Sequence, residues 1–197
     1  MLDVIRQELI AAFSPHWTLN DPAHRQDHFE DVFKTGMHIS KDQGYDFDPV
    51  HILFAAYFHD LFAWSRVNHH DLSYEFMRST DHPLILKYLP TQHERNVVAF
   101  ACHEHRASYK GDFYSEFTSM INAADRGFPN DVPAMVERSN KYWLAKWPEM
   151  SDDERMAGVI QHIKDKFGHG GYARYPNVYL RAFGSQLNEM RDKIAKL

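Results

Sequence analysis

The amino-acid sequence predicts an all-α fold in a single compact domain, residues 1–197. Apolar residues recur three and four positions apart along nearly the whole chain, which is the spacing of a helix with one buried face. Proline and N-cap residues stand where several of these stretches begin. We find no run in which polar and apolar residues alternate as they do in strands. A chain of 197 residues is long enough to bury a substantial core in one domain.

The first half of the chain contains six predicted helices. Apolar residues mark a first helix from Val4 to Phe13, and Pro15 is expected to end it because proline cannot donate a helical hydrogen bond. Asp48 and Pro49 form a helix start, with aspartate as N-cap and proline at the first helical position. That helix is expected to reach residue 60. The other four are predicted over residues 28–41, 70–79, 83–89 and 91–105.

The second half begins with a loop at residues 108–112 and a helix predicted over residues 113–125. Asp131 starts a long helix that reaches about Trp147. A capping box at residues 151–154 starts another, which ends at Gly168. A last helix runs from about Asn177 to the C-terminus. The helices of residues 131–197 are expected to pack on the preceding core.

The composition and net charge of the chain argue against several classes of protein. A net charge of −5 argues against binding an extended nucleic acid, which usually needs a basic surface. The single cysteine, Cys102, cannot form an intramolecular disulfide, which fits a reducing cytosol. The N-terminus lacks a basic and apolar signal pattern, and no stretch approaches the ~18 apolar residues that cross a bilayer. We therefore expect a cytoplasmic protein without a membrane partner; its aromatic content is compatible with a homo-oligomer but does not require one.

Histidine is unusually frequent, with 14 in the chain, and two histidines stand in contexts that favour metal binding. His59 and Asp60 end the apolar run of residues 52–58. His28 lies early in the second predicted helix, and Asp125 follows small residues on a mostly apolar face. A buried carboxylate needs a cation or several donors, and imidazole and carboxylate are both ligands of first-row metals. Four such ligands suit a catalytic divalent ion that keeps positions for water and substrate.

The order His28, His59-Asp60, Asp125 resembles that of the HD-domain metal-dependent phosphohydrolases. Three segments carry the resemblance: Asp27-His28 followed by Val32, residues 55–61, and residues 124–126. The resemblance covers roughly residues 20 to 130. It implies an all-α HD core, a divalent metal held by these four residues, and hydrolysis of a phosphate ester or anhydride by a metal-activated water.

Further histidines follow the His-Asp pair. In HD proteins with two metals, added histidines between the pair and the last aspartate bind a second ion, and His70 and His103 stand where such residues are expected. They are alternatively phosphate donors, the acid that protonates the leaving oxygen, or solvated helix-end residues. His69 and His105 are weaker candidates. Some HD nucleotidases carry a glutamate shortly after the pair, whereas residues 61–64 here contain no acid, so a histidine is the better candidate for a general acid.

The expected substrate is small and phosphorylated, with a nucleotide as first choice by family analogy. Four arginines near the proposed ligands could bind phosphate, namely Arg25, Arg66, Arg106 and Arg126. Arg126 is a catalytic candidate, or else an ion-pair partner of Asp125. The segment 168–175 is either a mobile loop over the pocket, with Tyr172 stacked on a base, or a glycine helix stop followed by a packed aromatic turn.

The sequence does not decide which divalent ion binds among zinc, manganese, cobalt, nickel, magnesium and iron. It also does not decide whether a second ion binds. Two alternatives to a phosphohydrolase remain. One is an HD-type di-iron oxygenase, in which His70 and His103 complete an iron pair. The other is a catalytically silent nucleotide-binding HD module.

Overall fold

The computed structural model describes residues 1–129 and 131–197. Within these residues the chain forms ten α-helices and no strand, so the prediction of an all-α fold is confirmed. In chain order the helices are α1 (Leu2–Trp17), α2 (Gln26–Asp42), α3 (Pro49–Phe58), α4 (His69–Ser79), α5 (Pro83–Tyr88), α6 (Gln92–Glu104), α7 (Glu116–Ala124), α8 (Val132–Lys146), α9 (Asp152–Phe167) and α10 (Asn177–Ala195).

Helix α3 lies in the middle of the core and packs against α1, α2, α6 and α7. Every residue from Ile52 to Phe58 is buried, as expected for a helix that is apolar on all sides. Asp48 caps the helix, because its side chain accepts a hydrogen bond from the backbone N–H of Val50. Since α3 is enclosed, the two residues that follow it enter the interior of the molecule.

Helix α2 approaches α3 closely at Gly36. A Cβ atom at this position would stand 3.0 Å from Ile52 Cγ2 and 3.4 Å from Met120 Sδ, so only glycine fits without displacement. Met120 belongs to α7. The contact therefore brings together the three helices that carry, or end beside, His28, His59 and Asp125.

The first helix differs from its predicted length. Pro15 does not end α1, which continues to Trp17. Proline near the last turn removes one hydrogen bond, and the buried Trp17 ring compensates by packing edge-on against Phe29 and Tyr57. Helix α7 also begins later than predicted, because Ser115 forms a capping box there.

The C-terminal helices pack on the core and on each other. Helix α10 packs against α2 and α7 through buried side chains that include Tyr179, Phe183 and Leu187. Helices α8 and α9 form a pair, with Gly158 of α9 lying against the ring of Trp143. In the described part of the chain, no helix combines the length and apolar character needed to cross a membrane.

Candidate metal centre

His59 and Asp60 are held in a buried turn directly after α3. The Nδ1 atom of His59 lies 2.9 Å from the carbonyl oxygen of Ala56, so this nitrogen donates and Nε2 faces inward. Asn20 fixes the turn from the other side. Its side-chain amide donates to the carbonyl of Asp60 at 2.9 Å and accepts the backbone N–H of Trp64 at 2.9 Å. The chain thus presents an imidazole and a carboxylate in fixed orientations.

The four ligands predicted from the sequence lie together. His28 Nε2 is 3.1 Å from His59 Nε2, 3.7 Å from Asp60 Oδ2 and 3.2 Å from Asp125 Oδ1. His59 Nε2 is 3.4 Å from Asp60 Oδ2 and 3.7 Å from Asp125 Oδ1. Ligand atoms placed about 2.1 Å from one ion are separated by about 3.0–3.4 Å when they are neighbours in an octahedron or tetrahedron. The observed spacing fits one shared divalent ion, and we call this group the first cluster.

A second cluster uses the other oxygen of Asp60. Asp60 Oδ1 is 3.4 Å from His69 Nε2 and 3.3 Å from His105 Nε2, and the two histidine atoms are 3.3 Å apart. All three residues are buried. Asp60 Oδ1 has no hydrogen-bond partner within the described residues, although a buried carboxylate oxygen normally has one. The equal spacing and the unpaired oxygen fit a second divalent ion, with Asp60 bridging both clusters.

The histidines of the second cluster are oriented for metal binding. His69 Nδ1 lies 3.3 Å from the carbonyl of Arg66, and His105 Nδ1 lies 2.6 Å from the carbonyl of Cys102. A backbone acceptor keeps the proton on Nδ1 and leaves Nε2 as the ligand atom, which is the arrangement common to metal-binding histidines. His59 shows the same pattern.

His28 is the exception. Its Nδ1 lies 3.0 Å from Nη1 of Arg138. Arginine only donates hydrogen bonds, so His28 Nδ1 accepts and Nε2 carries the proton, which is directed to Asp125. Coordination through Nε2 requires the proton on the other nitrogen. Metal binding therefore has to displace Arg138 from His28.

The ionisation states of the side chains in the first cluster favour the binding of a cation. Burial alone would raise the pKa values of Asp60 and Asp125, but contacts with His59, and with His105 or His28, hold both well below their usual range. Burial would lower the pKa of His59, yet the two carboxylates raise it to about 10. Burial, assisted by Arg138, lowers the pKa of His28 to about 3. At neutral pH the first cluster therefore holds two carboxylates, a neutral His28 and a positively charged His59.

Arg126 donates hydrogen bonds to one residue of each cluster. Its guanidinium donates to Asp125 Oδ2 at 2.8 Å, to the carbonyl of His105 at 3.1 Å and to Asn122 Oδ1 at 3.0 Å, while Nε donates to the carbonyl of Arg174 at 3.3 Å. Its donors are thus used within the protein. The geometry favours the ion-pair alternative over the catalytic one, and makes Arg126 a positioning residue for both clusters.

The two histidines favoured for the second ion lie elsewhere. His70 and His103 turn away from Asp60, and neither lines the pocket above the centre. Successive residues of a helix point about 100° apart, so only one of the neighbours His69 and His70 can face Asp60. The same applies at the end of α6, where His105 turns inward and His103 outward. The preference for His70 over His69 and for His103 over His105 was therefore wrong for contact with Asp60, because spacing in the sequence does not fix the rotation of a helix.

A pocket of about 620 Å³ opens above both clusters, within the usual size range of small-molecule sites. Asp60, His69 and Asp125 contribute to its floor, and Arg66 and Arg106 to its walls. Arg25, in contrast, is not among the lining residues, and its Nε donates to the carbonyl of Asn20.

Helices α8 and α9 add cations to this pocket from beyond residue 130. Arg138 and Lys166 both line it, and neither forms a salt bridge with a carboxylate in the described residues. Burial, followed by the nearby Arg126, lowers the pKa of Lys166 to about 8, so it is still mostly charged at neutral pH. Arg138 and Lys166 therefore supply two cations to a pocket that acidic side chains, among them Asp31 and Glu137, also line.

The segment 168–175 forms a hydrogen-bonded turn. The N–H groups of Tyr172 and Ala173 donate to the carbonyls of Asp165 and Lys166. This geometry matches the packed-turn interpretation. The Tyr172 side chain nevertheless lines the pocket and is 54% exposed, so its ring is available to a ligand at the rim.

Two histidines that line the pocket, His24 and His162, were not predicted from the sequence, and His24 lies close to the first cluster. His24 Nε2 lies 4.0 Å from Asp60 Oδ2, and its Nδ1 lies 2.9 Å from both carboxylate oxygens of Asp21. A carboxylate that binds one imidazole nitrogen orients the other toward the reacting group. The i, i+3 spacing of Asp21 and His24 is the only sequence signal of this pair.

Six side chains, four imidazoles and two carboxylates, thus form a centre that can bind divalent ions and present them to an anion. No family model, no curated protein and no solved structure matches the chain.

Proposed function

We propose that the protein is a metal-dependent phosphohydrolase that cleaves a phosphate ester or anhydride of a small substrate, with a nucleotide as the first candidate. The observation that carries the proposal is the position of Asp60, whose two oxygens face two clusters of ligand atoms below a pocket whose lining includes Arg66, Arg138 and Lys166. Divalent ions and guanidinium groups both stabilise the charge on a transferring phosphoryl group. The resemblance of these motifs to HD-domain phosphohydrolases supports the same reaction.

Divalent ions at the two clusters would supply Lewis acidity and lower the pKa of a bound water from 15.7 to about 7. The residues of the chain provide orientation. Arg66, Arg138 and Lys166 line the pocket and are placed to bind the non-bridging phosphate oxygens. The ring of Tyr172 at the rim offers a surface on which a nucleobase can stack.

His24 is the best-placed group to transfer a proton. Its Nε2 faces the pocket beside Asp60, and the Asp21 carboxylate fixes the ring. In the arrangement seen here Nε2 accepts a hydrogen bond from Arg66 Nη1 at 3.2 Å, so proton donation requires that His24 is protonated and that the Arg66 guanidinium moves to the phosphate. In the proposed reaction His24 donates a proton to the leaving oxygen as the phosphorus–oxygen bond breaks.

The proposal is tested by a screen of nucleotides and generic phosphoesters, each with zinc, manganese, cobalt, nickel, magnesium and iron(II) in turn. Metal-dependent release of phosphate, abolished by a chelator, is the expected result. If all substrates remain intact while a nucleotide raises the melting temperature, the protein is a binding module and the catalytic proposal fails.

An HD-type di-iron oxygenase is the second candidate, and the second cluster favours it. His69 and His105, not His70 and His103, would complete the iron pair. Metal analysis of protein purified without added metal separates the two functions. About two irons per chain, with oxygen consumption and no phosphate release, would support the oxygenase.

A further inference from the structure

The residues His70, Asp71 and His103 form a third cluster of possible ligands on the outer side of the α4–α6 pair. His103 Nε2 lies 3.3 Å from Asp71 Oδ1, and His70 Nε2 lies 3.6 Å from Asp71 Oδ2. One ligand atom from each residue lies within 4.8 Å of the other two. Neighbouring ligands of an ion held at about 2.1 Å are about 3.0–3.4 Å apart, so small side-chain adjustments suffice to share one ion.

From this geometry we propose that the third cluster is a peripheral zinc site, separate from the centre at Asp60. Two imidazoles and one carboxylate are a common protein ligand set for zinc, with a position left for water. Neither His70 nor His103 lines the pocket, so substrate binding does not account for their convergence. The side chains of His103 and Asp71 are 37% and 56% exposed, which leaves the cluster open to ions in solution.

The surroundings restrict the positions of the ligand side chains. His103 lies in the last turn of α6, where the helix dipole places partial negative charge, whereas His70 and Asp71 lie in the first turn of α4, where the dipole has the opposite sign. The ring of Tyr74 packs 5.3 Å from the His103 ring, and that of Tyr109 lies 6.4 Å away, which limits the rotamers of His103. His70 and His103 already face each other, with ring centroids 5.6 Å apart.

The zinc ion would join the two helices that carry the second cluster. His70 and Asp71 belong to the first turn of α4, directly beside His69, and His103 lies two residues before His105. A link between α4 and α6 at this point sets the separation of His69 and His105. The peripheral site therefore stabilises the geometry of the second cluster without contacting the substrate.

The test is a zinc titration of the full chain. We compare wild type with the double variant His70→Gln, His103→Gln, and measure bound zinc by equilibrium dialysis and metal analysis. The double variant should bind one zinc fewer per chain and lose part of the zinc-induced rise in melting temperature. Because this is a difference, it does not depend on whether the centre at Asp60 supports hydrolysis.

Two further variants keep the result interpretable. Asp71→Asn changes only an exposed side chain and should also remove one zinc, which covers the case in which the double variant is poorly folded. His93→Gln, an exposed histidine at the start of α6, is the matched control and should leave zinc binding unchanged. Equal zinc content in wild type, the double variant and Asp71→Asn would overturn the proposal.

Discussion

At the scale of single residues, His59 sets the pH dependence of metal binding. Its pKa is raised to about 10, so at neutral pH the metal-free protein carries a proton that a metal must displace. His28 and His69, with pKa values lowered to about 3, are already neutral. Apparent metal affinity should therefore rise about tenfold per pH unit between about pH 6 and pH 8.5, consistent with one displaced proton.

Titration calorimetry in buffers of different ionisation enthalpy measures the protons released by each ion. We expect about one proton for the first ion bound at the centre. Affinity that is flat or falls over this pH range would show that His59 is already neutral in the metal-free protein.

Arg138 competes with the metal for His28. Replacing it by methionine in Arg138→Met removes the donor to His28 Nδ1 and a nearby positive charge, so metal affinity should rise by about tenfold. The KM for a phosphorylated substrate should rise as well, because Arg138 also lines the pocket. Arg181→Met is the control, since Arg181 binds Gln43 and Tyr45 away from the centre. Unchanged metal affinity in Arg138→Met would refute the competition.

His24 provides a separate test of the proton transfer. In His24→Gln, kcat should fall by about 10²–10⁴ because the leaving oxygen loses its proton donor, while bound metal stays constant. Asp21→Asn should lower kcat less, since it only loosens the orientation of the ring. Steady-state kinetics with metal analysis of each variant measure both effects. A normal kcat in His24→Gln would assign the proton to another group.

At the scale of helices, the close contact of α8 and α9 depends on Gly158. A Cβ atom there would stand 2.4 Å from Trp143 Cζ3, so Gly158→Ala should cost about 1–3 kcal/mol of stability through overpacking. Gly184→Ala is the matched control in α10. Its Cβ would meet nothing within 4 Å, so it should be neutral or slightly stabilising. Denaturant unfolding of both variants measures the difference, and equal stability would contradict the packing.

The helices could be predicted because their signals are local. The apolar run of α3, the proline and aspartate at its start and the capping box at Ser151 all depend on neighbouring residues. The length of α1 could not be predicted, because the burial of Trp17 against α2 and α3 outweighs the effect of Pro15. Local signals also could not decide between His69 and His70, since packing against α6 sets the rotation of α4.

At the scale of the whole molecule, the sequence predicted that the four residues of the first cluster lie together, but it did not predict which cations line the pocket. Arg25 and Arg126 were candidates for phosphate binding because they are close in sequence to proposed metal ligands. In the structure they donate hydrogen bonds to backbone and side-chain groups of the protein. The pocket cations Arg138 and Lys166 come from helices more than a hundred residues beyond His28 in the chain. Only the packing of α8 and α9 over the core brings them to the site.

The whole site also depends on one shared carboxylate. Asp60 contributes Oδ2 to the first cluster and Oδ1 to the second, so one substitution should weaken both metal positions. Asp60→Asn removes the negative charge with little change of shape. Asp46→Asn, an exposed residue before α3, serves as the matched control.

The most direct measurement is the metal content and the phosphate release of Asp60→Asn, made in the His70→Gln, His103→Gln background so that only the centre at Asp60 is counted. The double variant with Asp60 intact, which is the parent here, should hold two ions per chain and release phosphate. The Asp60→Asn protein should stay helical, lose bound metal and lose at least about a hundredfold in turnover. Two ions and near-parental turnover in Asp60→Asn would contradict a centre bridged by Asp60.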